Sequence, residues 1–141
     1  MENEIESTPR EMGTFGRLIG LSFTARANGY SRCVLTVSDT LLNPNGVLHG
    51  GVVYSMADTG MGGALYSSLA PGETCATIEI NIVYLKAVTD GDLTCETRLI
   101  HKSSNIGVLE SQIDNQGHLV AKALGTFSIL KARSGIRDPE D

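Results

Sequence analysis

The chain has 141 residues, a length that bounds it to a single domain with short ends. Its 11 lysines and arginines against 16 acids give a formal charge of −5, which argues against a general nucleic-acid binder, because that function needs a basic footprint. No apolar run approaches the ~20 residues that span a bilayer, and the opening MENEIESTPREM has neither a basic start nor an apolar core, so the sequence predicts a cytoplasmic protein with no secretory signal and no membrane partner.

In chain order, residues 1–12 are polar and charged and read as an arm, 13–132 as the folded domain, and 133–141 as a polar tail. From Leu18 the pattern turns strand-like through IGLSFTA, reverses at Asn28-Gly29, and continues as CVLTVS over 33–38. Asn-Gly between two such runs predicts a hairpin, since both turn positions tolerate positive φ. A loop follows, with Pro44, Gly46, Gly50 and Gly51 close together.

Residues 51–68 form the one long helical pattern: Val53, Met56, Ala57, Gly60, Ala64 and Leu65 recur at three- and four-residue steps. Gly60, Gly62 and Gly63 each cost helix stability, about 0.5–1 kcal/mol relative to Ala, so this helix is expected to let another backbone approach closely. Four strands are predicted next, over 76–88, 92–102, 106–114 and 118–132, with tight turns between them. In the first, Ile78, Ile80, Ile82 and Tyr84 alternate with Thr77, Glu79 and Asn81. Strands joined by tight turns pair antiparallel, so the expected architecture is α+β: one curved antiparallel sheet of five to six strands around a single long helix.

The three cysteines, Cys33, Cys75 and Cys95, are far apart and include no CxxC pair, and His49, His101 and His118 are not spaced as metal ligands. Buried thiols are expected, with no metal site and no disulfide framework.

The chemistry-bearing residues gather at the start of the helix. Gly50 and Gly51 leave backbone N–H groups uncovered at the positive end of the helix dipole, where they can hold an anion or a developing oxyanion. The same pair also serves simply as a sharp turn into the helix, and on spacing alone both readings stand. Asp58 sits mid-helix among Met56, Ala57 and Met61 with no charged face around it, and a carboxylate there needs a partner or a task. Eight residues separate Gly50 from Asp58, about 12 Å along a helix. Both can act on one bond only if the site lies between two subunits, so a homodimer is predicted.

The run N-x-x-G-x-x-H-G-G-x6-D from Asn43 to Asp58, with T-x-E-x-N-I-x-Y-L-x-A from Thr77, resembles the PaaI-type branch of the hotdog-fold thioesterases over about residues 13–130. The resemblance implies hydrolysis of an acyl-CoA to a free acid and CoA. It implies that Asp58 is general base or nucleophile, that the Gly50 N–H polarises the carbonyl, and that His49 shapes the loop. By the same resemblance Asn43 positions water or thioester, and Thr77 orients water or carboxylate. Asp58 and Thr77 then come from one subunit and Asn43, His49 and Gly50 from its partner, within a homotetramer. No cofactor is implied beyond the coenzyme A of the substrate.

For substrate contacts, Gly51, Val53, Tyr54 and Met61 are candidates, although the apolar ones serve equally as core. Lys102, Ser103 and Asn105 form the best local cluster for the CoA phosphates, with Lys86, Lys131 and Arg133 as possible additions. An aromatic or medium-chain acyl group is expected. A Ser-His-Asp reading, with Ser55 or Ser67 as nucleophile, is disfavoured because no G-x-S-x-G elbow is present and His49 stands at the helix start, away from Asp58 in the same chain. Two alternatives stand behind hydrolysis: a non-catalytic acyl-CoA binding domain, and a hydratase, whose acid–histidine arrangement the H-G-G-x6-D run does not match.

Overall fold

The computed structural model describes residues 9–132. Helix α1 (Pro9–Ile19) leads into β1 (Ser22–Ala27) and β2 (Tyr30–Thr36), followed by a 3-10 turn at Asp39–Leu41 and the long helix α2 (Gly50–Tyr66). Four strands complete the chain: β3 (Glu73–Tyr84), β4 (Asp92–Lys102), β5 (Ile106–Asn115) and β6 (His118–Lys131). The strands form one six-stranded sheet in the order β1-β2-β4-β5-β6-β3, antiparallel at every pairing. The sheet curves around α2, which contacts all six strands. This is the hotdog architecture that the resemblance implies.

Two expectations are corrected. The strand expected from Leu18 is instead the end of α1, which breaks at Gly13 (φ 65°) and resumes. It stops in a Schellman cap: Gly20 takes φ 78°, Leu21 N–H donates to the Gly16 carbonyl at 2.9 Å, and Gly20 N–H to Arg17 at 3.2 Å. The arm expected over 1–12 is therefore helical from Pro9, while residues 1–8 and the tail at 133–141 lie outside the described residues.

The second correction concerns β3 and β4, which do not form a hairpin. β3 ends at Tyr84, and residues 85–91 leave the sheet edge and cross to the middle, where β4 pairs with β2. Hydrogen bonds from Leu85 N–H to Val120 (2.8 Å) and from Leu48 N–H to Val88 (2.7 Å) hold the crossing in place. The crossing leaves β3 at an edge, paired with β6 alone. The expected alternation along β3 is also interrupted, because the register slips between Thr77 and Glu79, leaving Ile78 exposed.

The hairpin at Asn28-Gly29 forms as expected, with φ of 51° and 80°. The core lies between α2 and the sheet: Leu35, Met56, Met61, Leu65, Leu93, Leu109 and Ile113 are fully buried, each contributing roughly 1.5–3 kcal/mol of burial.

Close approach of α2 depends on small groups on both sides. Beneath Gly60 lie Ser31, Cys95 and Thr97, and a Cβ added there would stand 2.9 Å from Thr97 Oγ1. Ser31 Oγ donates to the Gly60 carbonyl at 2.6 Å, and Thr97 shares a 2.7 Å hydrogen bond with Ser111, so the buried hydroxyls are satisfied. Gly63 fits against the Phe23 ring. Gly62 differs, since its added Cβ would meet only Phe127, at 4.0 Å.

Gly60→Ala is expected to destabilise the fold by about 1–3 kcal/mol through overpacking against Thr97. Gly62→Ala should be neutral or stabilising by up to about 1 kcal/mol through helix propensity. Urea denaturation of the two variants beside the wild type measures both; equal effects would contradict the seating of α2 at Gly60.

Candidate active site

The loop before α2 is closed on itself. Asn43 N–H donates to the Val47 carbonyl at 2.7 Å, and Asn43 Oδ1 accepts from the N–H groups of Asn45 (2.9 Å) and Val47 (3.2 Å). This Asx-type turn commits the Asn43 side-chain oxygen to the loop, so any contact with a substrate falls to Nδ2. His49 N–H then donates to Leu41 at 2.9 Å, which fixes the entry into the helix.

His49 is the N-cap of α2, and its Nδ1 accepts from Gly51 N–H at 2.8 Å. The ring proton must then sit on Nε2, which fixes the neutral tautomer. The Val52 N–H is also taken, by the His49 carbonyl at 2.9 Å. Among the described residues, the Gly50 N–H at the head of the helix has no acceptor. The first-turn donors are thus sorted: two are used to build the turn, and one remains open.

Asp58, half-buried two turns further along α2, accepts from Thr77 Oγ1 at 2.7 Å through Oδ1. Thr77 lies on β3, so the edge strand orients the acid and leaves Oδ2 for other work. Cys75, two residues earlier on the same face of β3, is half-buried, unlike the fully buried Cys33 and Cys95. Burial pushes the Cys75 thiol up, and the charge of Asp58 adds to the rise.

Beside Gly50 opens a cavity of about 200 Å³, walled by Val47, Leu48, Val53, Val88 and Val120, with Tyr84 and Lys86 also lining it. Tyr84 Oη donates to the Gly50 carbonyl at 2.7 Å. Sequence reasoning gave Tyr84 no role in the site, because it stood out only as one position in the alternation of β3 and in the T-x-E-x-N-I-x-Y-L-x-A run.

The remaining candidates separate into groups. Val53 lines the cavity and Tyr54 is partly exposed, whereas Met61 is wholly buried over Gly125 and packs as core. Lys102 donates to the Ser68 carbonyl at 3.1 Å, just past the C-terminal end of α2. Ser103 Oγ accepts from Ile106 N–H at 3.2 Å and Asn105 N–H at 3.4 Å within its own turn. A 17-residue helix is about 25 Å long, so within one chain this cluster lies at the far end from Gly50, and Lys86 is the cation beside it. Of the other cations considered, Lys131 ends β6 and Arg133 lies outside the described residues.

A mid-helix carboxylate held by a hydroxyl and an open amide at the head of that helix thus stand on one helix, with a hotdog sheet wrapped around it. The chain belongs to the thioesterase superfamily, whose family profile matches residues 45–122. Within that superfamily it is similar to proteins of the PaaI type. It is 29% identical to the acyl-coenzyme A thioesterase PaaI of Escherichia coli over 71% of this chain and 70% of that one. The solved structure of the conserved protein PA5202 from Pseudomonas aeruginosa is 32% identical, with a TM-score of 0.84 over 88% of this chain and 99% of that chain. A hypothetical thioesterase from Streptococcus pneumoniae, solved with coenzyme A, is 28% identical, with a TM-score of 0.74 over 81% of this chain and 88% of that one. The protein is a thioester hydrolase.

The Cys75–Asp58 pairing gives a direct check on the geometry. A negative neighbour disfavours the thiolate, so Asp58→Asn should lower the point at which Cys75 ionises and speed its alkylation at fixed mildly alkaline pH. Peptide mapping after iodoacetamide treatment reads this, with buried Cys33 and Cys95 as internal references. An unchanged Cys75 rate would place Asp58 too far away to act on it.

Proposed function

We propose that the protein hydrolyses an acyl- or aryl-CoA at sites shared between two subunits, with Asp58 of one subunit and the Gly50 N–H of the other acting on the same thioester. The single observation that carries this reading is the pair of groups on α2: an acid oriented by Thr77, and an amide left without an acceptor at the helix head. The Gly50 N–H stabilises the negative charge that grows on the carbonyl oxygen. Asp58 Oδ2 either takes a proton from the attacking water or attacks the carbonyl itself. In the first route, water adds, the C–S bond breaks, and CoA leaves as its thiol. In the second, attack by Asp58 breaks the C–S bond and releases CoA as its thiol. This leaves a mixed anhydride on Asp58 that water then opens to the free acid and the restored carboxylate. Both routes require the carboxylate to be ionised.

The shared site rests on helix geometry and on the edge of the sheet. Gly50 and Asp58 stand about 12 Å apart along one rigid helix. β3 is a 12-residue edge strand that exposes Ile78, Val83 and Tyr84. A long apolar edge of this kind is a liability in a monomer and a natural seam for a second copy. The apolar cavity beside Gly50 suits a single ring or a short to medium chain, since an apolar cavity of about 150 Å³ accommodates benzene. Coenzyme A in the S. pneumoniae structure supports the same class of thioester. The first cation to test for the CoA phosphates is Lys86, followed by Lys102. The assembly into a homotetramer stays part of the proposal, as does the absence of any cofactor beyond CoA.

A mixing experiment tests this reading. Asp58→Asn should lower thiol release from acyl-CoA by about 10²–10⁴-fold. Gly50→Pro removes the N–H at a first-turn position where proline is accepted, and should cost about 10²–10³-fold. Co-refolding the two inactive variants in equal amounts should restore about a quarter of wild-type activity, because half of the dimers are mixed and each holds one intact site. No recovery would locate both groups in one subunit's site. A Asp58→Asn variant that binds acyl-CoA and hydrolyses it at the wild-type rate would leave Asp58 without a role.

A further inference from the structure

Two side chains from different parts of the chain grip a single peptide unit at the head of α2. The unit joins Gly50 to Gly51. Its N–H donates to His49 Nδ1 at 2.8 Å, and its carbonyl accepts from Tyr84 Oη at 2.7 Å. The Tyr84 ring also lies over the Gly50 Cα, where an added Cβ would meet ring carbon Cζ and the hydroxyl oxygen at 3.2 Å. Consecutive glycines carry the greatest backbone freedom in the chain, and a donor that wanders loses its value to a developing charge.

We propose that Tyr84 is a positioning residue for catalysis, holding the Gly50–Gly51 peptide unit so that the adjoining Gly50 N–H keeps a fixed aim. This inference rests on the reading that the Gly50 N–H meets the thioester oxygen. His49 holds one end of the unit and Tyr84 the other, so the rotation about the Gly50 backbone that would swing the N–H away is blocked from both sides. The same contact makes position 50 tight, because an added Cβ would press on the ring and shift it by a few tenths of an ångström. Burial against α2, with a further push from Tyr54, raises the Tyr84 phenol, which keeps its proton available for donation through the neutral and mildly alkaline range.

The placement also explains why β3 carries Tyr84 at its last position. Thr77 and Tyr84 lie on the same strand, and each makes a hydrogen bond to α2, one at Asp58 and the other at Gly50. One strand therefore sets both functional positions of the helix.

Tyr84→Phe keeps the ring and removes only the donor. With an acyl-CoA that the wild type turns over, the expected result is a kcat lowered about tenfold, KM within about twofold, and an unchanged melting temperature. His49→Ala should act on the same unit, so the double variant should lose less than the product of the two single effects. Three results would each overturn the proposal: an unchanged kcat in Tyr84→Phe, a rise in KM alone, or a kcat loss that tracks a fall in melting temperature. The co-refolding of Asp58→Asn with Gly50→Pro tests the underlying reading separately. Restored activity in that mixture alongside a fully active Tyr84→Phe would remove the tyrosine's role and leave the shared site standing.

Discussion

The rest of the structure depends on how closely α2 lies on the sheet at Gly60. The added methyl of an alanine there would overlap Thr97, and the Gly60 carbonyl is drawn down by Ser31 at 2.6 Å. The sheet answers with small side chains, Ser31, Cys33, Cys95 and Ser111, all fully buried beneath the helix. Larger residues on either side would lift α2, and at Thr77 the reach from β3 to the helix is only a short hydroxyl side chain. Thr77 meets Asp58 at 2.7 Å and Tyr84 meets Gly50 at 2.7 Å because the helix is seated that low. The packing of small groups in the core therefore sets the geometry of the chemistry on the surface.

β3 carries a second constraint. It crosses from the end of α2 to the far edge of the sheet, pairs only with β6, and leaves its other side unpaired. An edge strand that positions functional groups is exposed to fraying, since it has half the hydrogen bonds of an interior strand. Pairing with a second copy would remove that weakness at the very strand on which Asp58 and Gly50 rely. The proposed dimer thus does two jobs: it brings an acid and an amide donor to one bond, and it stiffens the strand that aims them.

Much of this was legible in the residues. The Asn28-Gly29 turn, the long glycine-bearing helix and the boundaries of β4 all follow from local pattern, because turn chemistry and period act within a few residues. The H-G-G-x6-D run located the helix head and the acid for the same reason. What escaped was set by tertiary contact. α1 was hidden by Gly13 and Gly16, which break the helical pattern, although Gly20 followed by Leu21 is the signature of its cap. The pairing of β3 with β6 instead of β4 could not be read from the short segment at Thr89-Asp90-Gly91, since topology is decided by where a strand finds a partner and not by the length of its turn. Met61 follows Ala57 on one helical face, and only the fold shows that it fills the space over Gly125.

The distribution of functional groups along α2 has a consequence for how such a site can vary. Helix rise holds Gly50 and Asp58 apart by a distance no side-chain change can alter, and both are tied to β3 by single hydrogen bonds. The cavity beside Gly50 is walled by the loop before α2, by Val53 of α2, by the crossing segment after β3, and by Val120. These walls include the least regular parts of the chain, and Tyr84 links them to the head of α2 through its hydrogen bond to the Gly50 carbonyl. Changes at Val47, Leu48 or Val88 are therefore expected to reshape this cavity, the proposed acyl pocket, while Asp58 and Gly50 stay where they are. A change at Tyr84 would disturb both at once, which sets this residue apart from the other walls of the cavity.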